Sequence, residues 1–382
     1  MSWAFDQLWL AWAVPLGFAG LVALGWWLRG LESRQWRSSG QAGPQAYFRG
    51  LSHLLNEQQD EAIDAFIEAT RHESDTAELH FALGNLFRRR GDYDRAIRVH
   101  EHLLQRGDLK TADRLRAQHE LALDFLKAGL LDRAEAAMQV LLESPLATDA
   151  RLALLSIYER ARDWPQASVM ASQLDGSSAG SFQSRMAHHA CEQADDARRQ
   201  GRGEEAERLL HEALVHSPKH ARALIELAAV QAQADQTDTA IQTLLRCAQC
   251  QPQTLPLLAP ELVRLASQTA TQRDAIVQTL RQAHQQQARV DITLALIRLC
   301  PQEREEWLNS HLSRELSLLV AAEALSTQDN LPAHSLQAIK QAASALQRYR
   351  CAACGFETHR YFWQCPGCQS WDSFPALRVE EL

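Results

Sequence analysis

The chain has 382 residues, of which 46% are hydrophobic and 23% are charged, a composition ordinary for a protein with a buried core. At this length one small core does not suffice, and an extended or multi-part architecture is favoured. The formal net charge of −8 argues against bulk nucleic-acid binding, because proteins that neutralise phosphates usually carry a basic face.

The N-terminal segment differs from the rest, since six of the ten tryptophans lie in the first 36 residues. Between Asp6 and Arg29 lie 22 residues without a formal charge. As a helix, this stretch (residues 7–28) extends roughly 33 Å, enough for a hydrocarbon core of about 30 Å. Tryptophans lie near both of its ends, where amphipathic rings favour the membrane interfaces. We therefore predict that residues 1–31 form a transmembrane anchor.

A cleaved signal peptide and a buried core helix are the alternatives to a retained anchor. A signal peptide begins with basic residues, whereas the residues before the apolar stretch contain Asp6 and neither Lys nor Arg. Arginines instead follow the stretch, and basic flanks stay on the cytoplasmic side. This places the N-terminus outside and the rest of the chain in the cytoplasm, with residues 32–45 as a polar linker.

From residue 46 onward the sequence is helical in pattern and repeats itself. Gly50 and Gly84 are 34 residues apart, and so are Ala62 and Ala96. In each copy a small residue on a first helix lets a second helix approach closely, which a larger residue would prevent. The alanines at the equivalent position of the successive copies are Ala62, Ala96, Ala134, Ala167, Ala206 and Ala240.

This pattern resembles the tetratricopeptide repeat, a helix–turn–helix unit of 34 residues. We predict about six repeats in residues 46–254 and degenerate helix pairs in residues 255–345. Stacked repeats share a continuous core and curve into a superhelix whose concave face binds peptides or proteins. The predicted fold class is therefore all-α, a tetratricopeptide-repeat superhelix that follows one transmembrane helix.

The repeat region contains no catalytic constellation, so the protein is predicted not to be an enzyme. Its histidines, among them His100, His188 and His189, are interpreted as surface or core-edge residues. The arginine run 88–90 is interpreted as a solvated, salt-bridged face, with a docking patch for an acidic partner or the membrane as the alternative. The Cys247–Cys250 pair is interpreted as helix packing rather than metal or redox chemistry.

The strongest local signal lies in residues 346–382, where ten residues separate two C-x-x-C pairs. Two such pairs direct four thiolates at one metal in a tetrahedral site, which fits zinc or iron. Because protein fills all four positions, a structural metal is favoured over a catalytic one. Two disulfides are the alternative, and a cytoplasmic location disfavours them. The predicted metal ligands of this rubredoxin-type or zinc-ribbon knuckle are Cys351, Cys354, Cys365 and Cys368.

The knuckle carries more aromatic surface than so small a unit can bury. We therefore expect several of these side chains to pack against the last repeats and to fix the knuckle to the helical body. The aromatic residues concerned are Tyr349, Phe356, Tyr361, Phe362, Trp363 and Trp371.

Anchor, repeats and knuckle together resemble the lipopolysaccharide assembly protein B family of Gram-negative bacteria. The resemblance covers nearly the whole chain and is most specific in Leu83–Leu104 and in the segments YRCAACGF and YFWQCPGCQSW. Rubredoxins share the cysteine spacing but usually have Gly where Gln369 stands, which weakens an electron-transfer interpretation.

The resemblance implies an adaptor or scaffold that regulates lipopolysaccharide biosynthesis at the bacterial inner membrane, with a periplasmic N-terminus and a cytoplasmic body. It implies that the chain promotes degradation of the lipid A deacetylase by a membrane AAA+ protease. Lipopolysaccharide assembly enzymes and regulatory proteins are further implied partners, and residues 7–28 are the membrane contact. Direct lipopolysaccharide binding and homo-oligomerisation stay open, and no nucleic acid is expected. The alternative function is a membrane-tethered, rubredoxin-like iron protein.

Overall fold

The computed structural model describes residues 48–50, 52–53, 56, 58, 61–62, 64–66, 77–177, 179–269, 271–326 and 332–382. The predicted anchor and linker lie outside these residues. Within the described ranges, no helix is both long and apolar enough to cross a bilayer.

The chain divides into two compact units, residues 1–161 and residues 162–382. The first unit contains helix–turn–helix pairs and ends with one more helix. From residue 77 its helices are α1 (Ala77–Arg90), α2 (Tyr93–Gln105), α3 (Thr111–Ala128), α4 (Leu131–Gln139) and α5 (Ala147–Ala161).

The second unit continues the helical pattern and ends in a small irregular domain. Its helices are α6 (Trp164–Leu174), α7 (Gln183–Arg199), α8 (Gly203–His216), α9 (Ala221–Gln233), α10 (Thr237–Cys250), α11 (Leu255–Ala266), α12 (Arg273–Gln286), α13 (Val290–Leu299), α14 (Arg304–Leu312), α15 (Leu318–Leu325) and α16 (Ala333–Ser344). Two short strands follow, β1 (Tyr349–Arg350) and β2 (Glu357–Thr358), which pair antiparallel with Tyr349 opposite Thr358.

From the second copy onward the recurring alanines lie on second helices, and within each unit these helices pack against first helices. The alanine of each of the six predicted copies has no exposed surface, as the close approach of two helices requires. Five residues before each alanine from the second copy onward, the turn residue adopts a positive φ: Gly91, Gly129, Arg162, Gly201 and Asp235. The chain reverses there through a left-handed residue, as at the ends of many helices.

The predicted degenerate region also forms helix pairs. Helices α11 to α16 give three further pairs in succession. One cluster of buried residues extends from Leu224 to Ala343 and crosses the predicted boundary at residue 254 without a break. The sequence motif therefore decays there while the packing of helices continues.

Gly84 of α1 tests the close approach of two helices directly. A Cβ atom at Gly84 would lie 2.5 Å from Cε1 and Nε2 of His100, a fully buried ring. The ring cannot retreat easily, because its Nδ1 lies 2.6 Å from Oδ2 of the buried Asp124. We expect overpacking in Gly84→Ala to lower the free energy of unfolding by about 1–3 kcal/mol. The higher helix propensity of alanine should offset about 1 kcal/mol of this loss.

Urea unfolding of the two variants Gly84→Ala and Gly107→Ala measures this effect. A Cβ atom at Gly107 meets nothing within 4 Å, so this control is expected to match the wild type. Equal stability of the two variants would contradict the assignment of Gly84 as a packing glycine.

Candidate metal centre and its docking surface

Each C-x-x-C pair sits in a tight loop, and the two loops share one backbone pattern. The amide of Gly355 donates to the carbonyl of Cys351 at 2.9 Å, and the amide of Gln369 donates to the carbonyl of Cys365 at 2.8 Å. Gly355 has φ of 78° and Gln369 has φ of 61°. The residue after each second cysteine therefore has a left-handed backbone. For Gln369, which has a side chain, this conformation costs about 1–2 kcal/mol that glycine avoids.

The structure brings the four predicted sulfur atoms together. All of them lie within 4.8 Å of one another. The Sγ atoms of Cys351 and Cys368 are 3.8 Å apart, and those of Cys354 and Cys365 are 3.7 Å apart. Zinc–sulfur bonds of about 2.3 Å in a tetrahedron place sulfurs about 3.8 Å from each other. The four cysteines therefore fit a single tetrahedral metal ion, and iron would use the same donor set.

The pKa values of three neighbouring thiols move in opposite directions: hydrogen bonds lower those of Cys351 and Cys368. At Cys354 the amide of Phe356 is outweighed by burial and the adjacent thiols, which raise the pKa to about 12. Burial opposes ionisation of Cys351, but the Ser373 hydroxyl at 3.3 Å and two backbone amides lower the pKa of this thiol to about 6. The hydroxyl and the amide of Ser370 lower the pKa of Cys368, with the hydroxyl 3.3 Å from its sulfur. Cys351 and Cys365 are buried, whereas Cys354 and Cys368 are exposed. The site therefore has one protected and one solvent-facing side.

The knuckle docks on the repeats through an aromatic contact. Trp371 stacks on His188 of α7, with ring centroids 4.4 Å apart and planes 21° from parallel. Its edge faces Trp164 of α6 at 6.2 Å. Next to it, Asp372 Oδ2 lies 2.9 Å from His188 Nε2. A ring stack and a hydrogen bond thus join His188 to two consecutive residues of the knuckle, the second of them 184 positions away.

The C-terminal tail adds polar contacts to other repeat helices. The guanidinium of Arg378 donates from Nε and Nη2 to both carboxylate oxygens of Asp291 in α13, at 2.8 and 3.1 Å. Glu380 accepts from the Ser317 hydroxyl at 2.6 Å and from the amide of Leu318 at 3.0 Å, at the start of α15. Carboxylates are favourable at helix N-termini, so the tail stabilises these helix ends.

The expectation for the aromatic residues was correct in kind and partly wrong in place. Trp371 and Trp363 contact His188, in the middle of the helical sequence and not in the last repeats. Tyr349, Tyr361 and Phe362 form a small core with Phe374, and this core packs against Leu257 of α11 in the degenerate helix pairs, as expected. Phe356 is 41% exposed.

The histidine interpretation was wrong for three residues. His100 and His189 have no exposed surface and His188 is 1% exposed, so none lies on the surface or at a core edge. His100 bonds to Asp124, and His188 bonds to Asp372. Such partners lie far away in sequence, and therefore no local spacing could reveal them.

The arginine run divides between two environments. Arg90 lies 3.7 Å from Asp92 on an exposed face, as predicted for a salt-bridged surface. Arg88, in contrast, is largely buried and reaches Glu120 at 2.5 Å and Asp124 at 2.9 Å. The pair Cys247 and Cys250 behaves as packing, since Cys247 is fully buried and its sulfur lies 3.7 Å from the hydroxyl of Thr254.

Buried histidines next to the docked knuckle make the second unit sensitive to acid. His220 packs its ring edge-on against His188, with centroids 4.3 Å apart, and its Nδ1 accepts the amide of Ala223. Burial, and then the charge of His188, lower the pKa of His220 from 6.5 to about 3. Below pH 6.5 the unfolded chain binds a proton that the folded chain excludes. The free energy of unfolding therefore decreases as the pH is lowered, and at pH 5 the contribution of His220 to this loss is about 2 kcal/mol relative to neutral pH.

Urea unfolding at pH 7 and pH 5 measures this loss. The variant His220→Asn keeps an N-cap acceptor for α9 and removes the titrating ring. We expect a smaller pH dependence in the variant, with a remainder from His188, His284 and His311, whose pKa values burial also lowers. An unchanged difference between pH 7 and pH 5 would rule out His220 as a source.

Helix pairs in tetratricopeptide register and a four-sulfur knuckle define the class: a tetratricopeptide-repeat protein with a rubredoxin-type metal-binding domain. Residues 349–375 match the rubredoxin metal binding domain family, and residues 79–115 and 191–253 match tetratricopeptide repeat families.

Two relatives are similar to the chain along nearly its whole length. Lipopolysaccharide assembly protein B of Escherichia coli K12 is 27% identical over 377 residues, covering 94% of this chain and 96% of that protein. The protein of that name from Haemophilus influenzae Rd is 28% identical and covers 88% and 90%. The TPR2AB domains of yeast Sti1 are 13% identical with a TM-score of 0.34, over 72% of this chain and 99% of that chain. Similarity to two proteins of this name along most of the chain confirms the resemblance to the lipopolysaccharide assembly protein B family.

Proposed function

We propose that this protein is a non-catalytic adaptor that regulates lipopolysaccharide biosynthesis from the cytoplasmic side of the inner membrane. The observation that carries the proposal is similarity along 94% of the chain to a protein named for lipopolysaccharide assembly. Residues 7–28 anchor it, with the N-terminus in the periplasm. The repeats supply binding surfaces, since stacked helix pairs commonly bind other proteins.

The adaptor is proposed to present the lipid A deacetylase to a membrane AAA+ protease and to assemble lipopolysaccharide enzymes. Cys351, Cys354, Cys365 and Cys368 are proposed to hold one Zn²⁺ or iron ion. When bound, the ion joins the two knuckles covalently and fixes the fold of the small domain. Trp371 and the tail then hold that domain against the repeat helices, which gives a partner one defined surface.

The half-life of the deacetylase in growing cells tests this role. Cells that carry the chain without residues 1–31, or with Cys365→Ser, are expected to degrade the deacetylase several-fold more slowly than wild type. Cys250→Ser is the matched control, because Cys250 is a partly exposed thiol outside the four-sulfur cluster. A deacetylase half-life that neither change alters would refute the adaptor role.

An iron redox protein is the second candidate. The observation that favours it is the exposure of Cys354 and Cys368, which brings the metal site close to solvent and to a redox partner. Elemental analysis and a visible spectrum of the purified protein decide between the two. Stoichiometric iron with a reversible colour change supports electron transfer, and one colourless zinc per chain refutes it.

A further inference from the structure

A cleft of about 830 Å³ opens beside the metal domain in the second unit. The end of α10, the start of α11, one side of α12 and the start of α13 form its walls, and residues 375–377 of the C-terminal tail close it. Its volume falls in the range of about 300–1,000 Å³ that is typical of ligand-binding clefts. The docked C-terminal tail therefore forms one wall of the cleft.

The floor of the cleft is apolar and rigid. Leu255, Ile292 and Ala376 are buried there, and Pro252 and Pro375 fix the backbone at two edges. No aromatic side chain lines the cleft, and aromatic walls are what proline-rich ligands usually require. The floor suits small aliphatic side chains.

The rim carries glutamine amides with unused hydrogen-bonding capacity. Gln249, Gln282, Gln286 and Gln287 are exposed at the rim. Their side-chain amides make no hydrogen bond to another residue of the described ranges. Each amide offers two donor hydrogens and one acceptor oxygen, the complement of a peptide C=O and N–H. A row of them can pair with a main chain whatever its side chains are.

Charge in the cleft is nearly absent. No acidic residue lines it, and its one cation, Arg289, lies 3.9 Å from Glu381. A charged ligand would lose hydration without gaining an ion partner, which costs free energy. Neutral ligands are therefore favoured.

We propose that this cleft binds an extended, uncharged segment of a client polypeptide through its main chain. The glutamine amides pair with the backbone of the segment, and the apolar floor receives its small aliphatic side chains. The inference deepens the proposed adaptor role by defining the kind of client segment, and it rests on that role for its biological meaning. Main-chain recognition predicts tolerance of many sequences and rejection of charge.

Fluorescence anisotropy with the detergent-solubilised full chain tests the proposal. The probe is a set of labelled, acetylated and amidated octapeptides of Ala, Val, Ser and Gln, with matched versions carrying one central Glu or Lys. We expect saturable binding of the neutral set, and binding about tenfold weaker for the variant Q282A/Q286A, because two main-chain hydrogen bonds are lost. Charged versions are expected to bind at least as weakly.

The control variant Q278A/Q285A removes two exposed glutamines of the same helix α12 that do not line the cleft, and it should bind as the wild type does. Ala283→Phe, which fills the cleft, should also abolish binding, and unchanged metal content would show that the metal domain stays folded. Absence of binding, equal losses in the two double variants, or binding of polyproline alone would each overturn the proposal. If peptides fail to bind but deletion of the chain still lengthens the deacetylase half-life, only the cleft proposal fails.

Discussion

Cys365→Ser is expected to lose stoichiometric metal and to unfold the C-terminal domain. Cys365 is fully buried, and its sulfur lies 3.7 Å from that of Cys354, so serine leaves the cluster with three thiolates. Binding of structural zinc contributes on the order of 10–16 kcal/mol to the folding of small metal domains. The domain has two strands of two residues each and cannot replace that contribution with its own core.

The loss should extend to the repeats, because the domain supports them. Unfolding of the knuckle releases Trp371 from His188 and Arg378 from Asp291. It also removes Glu380 from the start of α15. We therefore expect the second unit to melt at a lower temperature, by several degrees for a loss of a few kcal/mol.

Elemental analysis, tryptophan fluorescence and calorimetry together measure these effects in the variant. Cys250→Ser is the control, and we expect it to retain metal and melting temperature. Removal of metal from the wild type with a chelator should reproduce the Cys365→Ser result. A variant that keeps one metal per chain, or that loses it without any change in melting, would contradict a structural metal that stabilises the repeats.

Local pattern was enough to predict the helix pairs and the sulfur cluster. A repeat spacing of 33 to 39 residues predicted the recurring alanines, and all six are fully buried. The two C-x-x-C pairs placed four sulfurs within 4.8 Å of one another. In both cases the spacing of residues along the chain determines the geometry, so the geometry can be predicted from the sequence alone.

The docking contacts could not be predicted, because their spacing carries no period. Asp372 meets His188 across 184 positions, and Arg378 meets Asp291 across 87. Which residues pair depends on how many helices stack before the C-terminal domain folds back onto them. A histidine on a helix gives no sign of a distant carboxylate, which is why the sequence predicts a surface or core-edge residue at His188.

The left-handed backbone of three residues could not be predicted from the sequence either. Arg162 and Asp235 occupy the left-handed turn position that glycine fills in three other repeats, and Gln369 does so after the second knuckle. Arginine and glutamine rarely adopt a positive φ, and aspartate does so more often but still in a minority of cases, so residue type alone does not predict these turns. Register relative to the buried alanine, or to the second cysteine, identifies them where composition does not.

A substitution outside the four-cysteine cluster can disrupt docking of the metal domain on the repeat helices without affecting metal binding. Trp371→Ala removes the ring that stacks on His188 and faces Trp164, but leaves all four cysteines in place. We expect full metal content and a loss of about 3 kcal/mol from the free energy of unfolding of the second unit, at the low end for a tryptophan truncation because Trp371 is only partly buried.

The matched control is Phe356→Ala, because Phe356 is also an aromatic residue of the knuckle but is 41% exposed. A double-mutant cycle of Trp371→Ala with His188→Ala isolates the stacked pair, and a coupling of about 0.5–1.5 kcal/mol is expected. Cys365→Ser is expected to lose both the metal and the docked arrangement, whereas Trp371→Ala should lose only the docked arrangement. If Trp371→Ala keeps its metal and fails to support deacetylase turnover, a partner recognises the docked arrangement. Additive losses in the cycle would instead mean that the ring contact contributes no coupling and that the tail contacts hold the domain.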